Sequence, residues 1–100
     1  MNMIKAAEIY KTAINHWGND MQINQAVEEM AELIQAINKM RRQPSPDHLD
    51  NVDEEIADVE IMLDQLKLIY SITDQKIIEI KEKKLERLQK TLEKVKGMNV

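Results

Sequence analysis

Glu28-Glu29-Met30-Ala31-Glu32 and its later echo Glu54-Glu55-Ile56-Ala57-Asp58 decide how this chain folds. Each places two carboxylates three residues apart inside a strongly helical, amphipathic run, so both acids leave neighbouring turns of one helix face. Enough chain separates the two stretches for a reversal of direction. The two helices can therefore pack antiparallel and turn four carboxylates into a common space, where two such pairs can build one metal site.

The first motif lies in a helix expected from about residue 21 to 42, with Ile23, Ala26, Val27, Met30, Leu33, Ile34, Ile37 and Met40 on its buried side. At about 100° per residue, Glu28 and Glu32 fall away from that stripe, and Glu29 sits at its edge, half turned towards the core. A solvated face is the ordinary reading for Glu28. The second motif lies in a helix expected from about 50 to 70, on Val52, Ile56, Val59, Met62, Leu63, Leu66 and Ile69, with Asp47 or Asp50 as cap. Here Glu55 falls inside the apolar stripe and Asp58 at its border. A carboxylate among apolar side chains is costly unless it is paired or bound to metal. Glu55 is therefore either a metal ligand or one half of a structural ion pair with a Lys or Arg. Between these helices Gln43 to His48, with Pro44 and Pro46, read as a break.

Two further helices complete the chain. Met3, Ala6, Ile9, Tyr10, Ala13, Ile14 and Trp17 form one stripe over residues 3–17, Gly18 stops it, and Asn19 or Asp20 can cap the second helix. His16 and Trp17 fall at a helix end, either as a helix-terminal His and a core Trp or as a platform on which a base stacks. Ser71 to Asp74 make a second connection with Thr73 or Asp74 as N-cap. A last helix then runs over about 74–96 on Ile78, Leu85, Leu88, Leu92 and Val95, close to a heptad seam interrupted by Lys81. Its other faces carry cations, most of them ordinary solvated charges; one or two could reach a neighbouring site and hold phosphate.

Composition agrees. The 100 residues include 2 Gly, 2 Pro and 3% aromatics, which suits one all-α, four-helix, antiparallel bundle-type domain over residues 1–100. A chain this short buries a modest core, and oligomerisation is expected to complete it. A formal net charge of -4 argues against nucleic acid as the main partner, because phosphate-backbone contact needs clustered cations. An acidic protein acting on phosphates needs a divalent cation between itself and the substrate. There is no Cys, hence no disulfide framework or thiolate metal site. No apolar run matches a signal peptide or a membrane span, and the expected location is the cytoplasm, with no membrane partner.

Four acids on two facing helices suit Mg²⁺, or Mn²⁺ in its place, since hard cations take a few carboxylates plus substrate phosphate. Such ions polarise a phosphoryl group and orient water for in-line attack, with no nucleophilic side chain required. A di-iron site would use Glu-x-x-His, and neither His16 nor His48 follows a Glu by three residues. Zinc is disfavoured by the same shortage of nitrogen and sulfur ligands.

Glu28-Glu29-x-x-Glu32 followed after a loop by Glu55-x-x-Asp58 resembles the signature of the MazG-like all-α nucleoside triphosphate pyrophosphohydrolases. Ala31-Glu32-Leu33-Ile34-Gln35-Ala36-Ile37-Asn38-Lys39 and Glu55-Ile56-Ala57-Asp58-Val59 are in keeping with it. The likeness extends from the first helix to Lys84-x-x-Arg87. It implies a MazG-like bundle that hydrolyses a nucleoside triphosphate between its α and β phosphates, giving a monophosphate and pyrophosphate with Mg²⁺. Carried onto this chain, Glu29, Glu32, Glu55 and Asp58 would be the metal ligands, and Glu28 a neighbouring acid that supports them or assists water activation. Lys39, Lys84 and Arg87 are the candidate phosphate-binding cations, Trp17 would border the base pocket, and a homodimer or homotetramer is the expected assembly. The alternatives are a non-catalytic helical assembly protein, whose acids merely solubilise a bundle, and a nucleotide sensor that binds without turnover.

Overall fold

Four helices and no strand make up the described residues of the computed structural model, which are residues 1–97; residues 98–100, the end of the expected domain, lie outside them. The helices are α1 (Met3–Trp17), α2 (Asn19–Arg42), α3 (Pro46–Ile69) and α4 (Asp74–Gly97). The all-α reading therefore holds.

Local chemistry fixes each boundary. Asn2 caps α1, its side chain accepting from the Lys5 N–H at 2.8 Å. Gly18, at φ 89°, both ends α1, through its N–H to the Ile14 carbonyl (2.8 Å), and opens α2 as its N-cap. Contrary to the sequence expectation, neither Asn19 nor Asp20 caps, because both lie inside α2 and the N-cap position falls to Gly18, which has no side chain to accept a bond. The expected start of α3 near residue 50 is also corrected. Ser45 is the cap, accepting from the His48 N–H at 3.0 Å, and Pro46 occupies the first helical position. Proline has no N–H to lose there and its fixed φ favours entry into a helix. Asp47 and Asp50 are thus helical residues and not caps.

At the other end of α3, Ser71 adopts φ 55°. The Ser71 and Ile72 N–H groups reach back to the Leu68 (3.3 Å) and Lys67 (2.8 Å) carbonyls, a left-handed helix stop usually made by Gly. Thr73 then caps α4, its hydroxyl accepting from the Lys76 N–H at 3.1 Å.

The core lies between α2 and α3, and α1 packs across both. Ala26, Ala36 and Met62 are its buried apolar residues. Beside them lies a buried polar pair that hydropathy does not reveal: Gln22 Nε2 donates to Gln65 Oε1 at 2.7 Å, and Gln65 Nε2 donates to Met62 Sδ at 3.7 Å. This bond marks the antiparallel register. Counting up α2 and down α3 from it, seven residues lead to Glu29 and Asp58, and ten lead to Glu32 and Glu55.

α4 takes no comparable part in this packing. The radius of gyration is 17.8 Å, against about 13 Å for a compact chain of this length. The expected stripes are accordingly only half covered. Val27, Ile34, Ile37, Ile56 and Leu63, assigned to the buried side by periodicity, are exposed, as are Ile9 and Trp17 on α1. A stripe buries only what a neighbouring element covers, and three helices leave the outer part of each stripe open.

Candidate metal centre

The carboxylates meet where the register predicts. Oxygens of Glu29, Glu32 and Glu55 lie within 4.8 Å of one another, Glu29 and Glu32 from one face of α2 and Glu55 from α3. Glu29 and Glu55 are half-buried, and Glu32 is exposed at the mouth. Asp58 is exposed and outside this trio, but near enough for its charge to act on both half-buried acids. Glu28 is exposed and stands apart from the cluster, as a solvated-face reading expects.

Satisfaction of these acids is incomplete. Gln25, one turn before Glu29, donates through Nε2 to Glu29 Oε1 at 2.8 Å. Glu29 Oε2 and Glu55 Oε2 are both buried and without a hydrogen-bond partner. The ion-pair alternative for Glu55 is not realised: no Lys or Arg pairs with it among the described residues. Buried polar atoms are almost always hydrogen-bonded, so two orphaned oxygens in one carboxylate cluster need an explanation.

Electrostatics points the same way. Burial pushes the Glu55 carboxyl above the usual carboxylate range, and the charges of Glu32, Asp58 and Glu29 push it further. Burial likewise raises Glu29; the Gln25 hydrogen bond opposes this, and Glu32 and Asp58 add to it. Both shifts arise from loss of water and crowding of like charge, and the opposite charge of a bound cation would offset the effect of each. Clustered, all-oxygen and partly open to solvent, the donor set fits a hard divalent cation.

The candidate substrate-binding residues are not gathered here. Lys39 is exposed on α2, seven residues beyond Glu32 and so near the same face. Lys84 and Arg87 are exposed on α4, away from the α2–α3 pair. Trp17 is 55% exposed, so it is not a core residue. Its ring meets that of His16 edge-on at 5.0 Å, and both line an open groove on α1 with Lys5, Ile9 and Ala13. Sequence reasoning misses Gln25 and the Gln22–Gln65 pair. The spacing of Gln25 and Glu29, four residues on one helix, is the available signal for the first; nothing local marks Gln22 and Gln65 as partners.

No helix among the described residues is long and apolar enough to cross a membrane. No protein-family model matches the chain, and neither a curated protein nor a solved structure matches it.

Proposed function

We propose that this chain is a Mg²⁺-dependent, MazG-like nucleoside triphosphate pyrophosphohydrolase, cleaving its substrate to a monophosphate and pyrophosphate in the cytoplasm. The observation that carries this reading is the pair of unpartnered buried oxygens, Glu29 Oε2 and Glu55 Oε2, inside a trio of carboxylates from two helices. Glu29, Glu32 and Glu55 hold the cation in this account, and Asp58 turns in from the adjacent turn of α3 as the fourth ligand.

Mg²⁺, or Mn²⁺, supplies charge neutralisation and polarisation of the phosphoryl group when bound. The chain's own residues do the rest. The trio would hold the cation that the triphosphate shares, Lys39 would meet phosphate charge from α2, and Glu28, on the exposed side of α2, would serve as a neighbouring acid that supports the ligands. Lys84, Arg87 and Trp17 are assigned to phosphate and base through assembly into a homodimer or homotetramer, since their own chain does not bring them to the acids. The many exposed apolar residues of α2, α3 and α4 support assembly.

The test is pyrophosphate release from a panel of canonical and modified nucleoside triphosphates, with Mg²⁺ and with chelator, for the native chain and Glu55→Gln. Metal-dependent pyrophosphate that vanishes in the variant supports the reading. Silence across the panel, from folded and metal-loaded protein, overturns it in favour of a sensor or a scaffold.

A further inference from the structure

α4 carries Ile78, Lys81, Leu85, Leu88, Leu92 and Val95 at alternating steps of three and four residues, the repeat by which two helices form a coil. Leu85, Leu88, Leu92 and Val95 are each more than half exposed. No other described helix packs over Leu85, Leu88 or Leu92, whereas Lys81 borders a groove against Leu63 and Leu66 of α3. The helix nevertheless leaves the core in a defined direction. Its first residue, Asp74, accepts from Lys67 Nζ at 2.8 Å, and the same ammonium lies 3.1 Å from Asp64 of α3.

What covers the seam can be read from its charges. In a parallel pair of α4 helices, Lys81 of one copy would face Lys81 of the other across the core, a like-charge contact that the coil disfavours. Run antiparallel, the same sequence has a register without that fault. Leu85 then faces Val95 of the second copy, Leu88 faces Leu92, and Lys81 meets none of these apolar residues. On one flank Glu82 lies beside Lys96 of the second copy, and symmetry repeats this pair at the other end. The middle of both flanks is neutral, with Gln89 opposite Gln89 and Thr91 opposite Thr91. Shifting by one heptad in the direction of greater overlap buries Lys81 against Leu92 and separates Glu82 from Lys96. The seam is thus complementary to itself in one direction and one register.

We propose that α4 is an interaction surface for a second copy of this chain, pairing antiparallel through Leu85, Leu88, Leu92 and Val95 with Glu82–Lys96 contacts at both ends. The overlap is about 15 residues, or roughly 22 Å of helix. That is below the ~800 Å² per partner of a standard stable interface, so association through α4 alone is reversible and concentration-dependent. This inference specifies one contact of the proposed homo-oligomer and does not depend on the metal chemistry.

Sedimentation velocity of the full chain over a range of concentrations tests it. The native chain is expected to gain mass with concentration, and Leu88→Lys to abolish the α4 step, leaving monomer or halving the limiting mass. Glu82→Lys and Lys96→Glu are each expected to weaken association by about tenfold, through two lost and two repulsive contacts per pair. The double reversal, Glu82→Lys with Lys96→Glu, restores opposite charges and most of the affinity. A native chain that stays monomeric, a Leu88→Lys variant that assembles like the native chain, or a double reversal as weak as either single change overturns the proposal. Leu88 lies away from the carboxylate trio, so cation binding by Leu88→Lys should match the native chain. Failure of pairing and failure of the hydrolase reading are thereby seen separately.

Discussion

Replacing Gln65 by Met tests whether one buried polar contact holds the two central helices in register. Gln22 and Gln65 are 7% and 5% exposed, and their amides meet at 2.7 Å. Methionine keeps nearly the volume of glutamine, so the cavity term is small and the main effect is a Gln22 amide left without its acceptor. An orphaned buried donor costs about 1–3 kcal/mol, and Gln65 also surrenders its weak contact to Met62 Sδ. At about 2 kcal/mol, the melting temperature falls by roughly 8–16 °C for a domain of this size. Gln22→Met costs a similar amount. The double variant places thioether against thioether and, with both polar groups gone, lies within about 1 kcal/mol of the native chain. The pair therefore couples by more than about 1 kcal/mol, read from urea unfolding of the four proteins at one concentration. If each single change costs less than about 0.5 kcal/mol and the two simply add, the bond does not set the register, and the opposition of Glu29 with Asp58 and Glu32 with Glu55 needs another cause.

Other expectations concern the carboxylates and the α3–α4 turn. Glu29 and Glu55 have raised pKa values in the fold, so the native state holds their protons more tightly than the unfolded chain does. In metal-free protein their contribution to stability is fully present below the unfolded glutamate pKa and is lost as pH rises through the raised folded values. Thermal melts in chelator, run from the acid range where glutamates titrate up to neutral pH, should show that loss in the native chain and a shallower one in Glu55→Gln; equal slopes would refute it. Ser71 holds a left-handed φ of 55°, a conformation that costs a non-glycine residue about 1–2 kcal/mol. Ser71→Gly should stabilise the α3–α4 turn by roughly 0.5–1 kcal/mol after the added freedom of the unfolded chain is subtracted. Loss of stability in urea would contradict the strain assigned to Ser71.

The parts of this fold that depend on local chemistry are legible in the sequence. Helical period locates all four helices, and the breaks at Gly18 and Ser71 fall where the chain turns. The start of α3 is misplaced by any reading that treats Pro46 as an interruption, because proline at a first helical position costs no hydrogen bond. The helical wheel alone turns Glu29 and Glu55 towards the interior, since each shares a face with apolar residues one or two turns away. Coverage is what periodicity does not encode. Val27, Ile34 and Leu63 sit on good stripes, yet α4 leaves the core and all three stay exposed. The Gln22–Gln65 bond is also beyond reach, since a long-range polar partner leaves no trace in periodicity. Asp58 shows the finer limit: its spacing is that of a ligand, but its carboxylate does not join the trio.

Binding of a divalent cation by Glu29, Glu32 and Glu55 is tested most directly by a Mn²⁺ titration. The electron paramagnetic resonance signal of the free ion is followed for the native chain, Glu55→Gln and Glu29→Gln. Saturable uptake by the native chain, displaced by Mg²⁺, is expected, with loss of that uptake in both variants while their helical circular dichroism is retained. Uptake equal in all three proteins, or none in any, would contradict a metal centre built on these carboxylates.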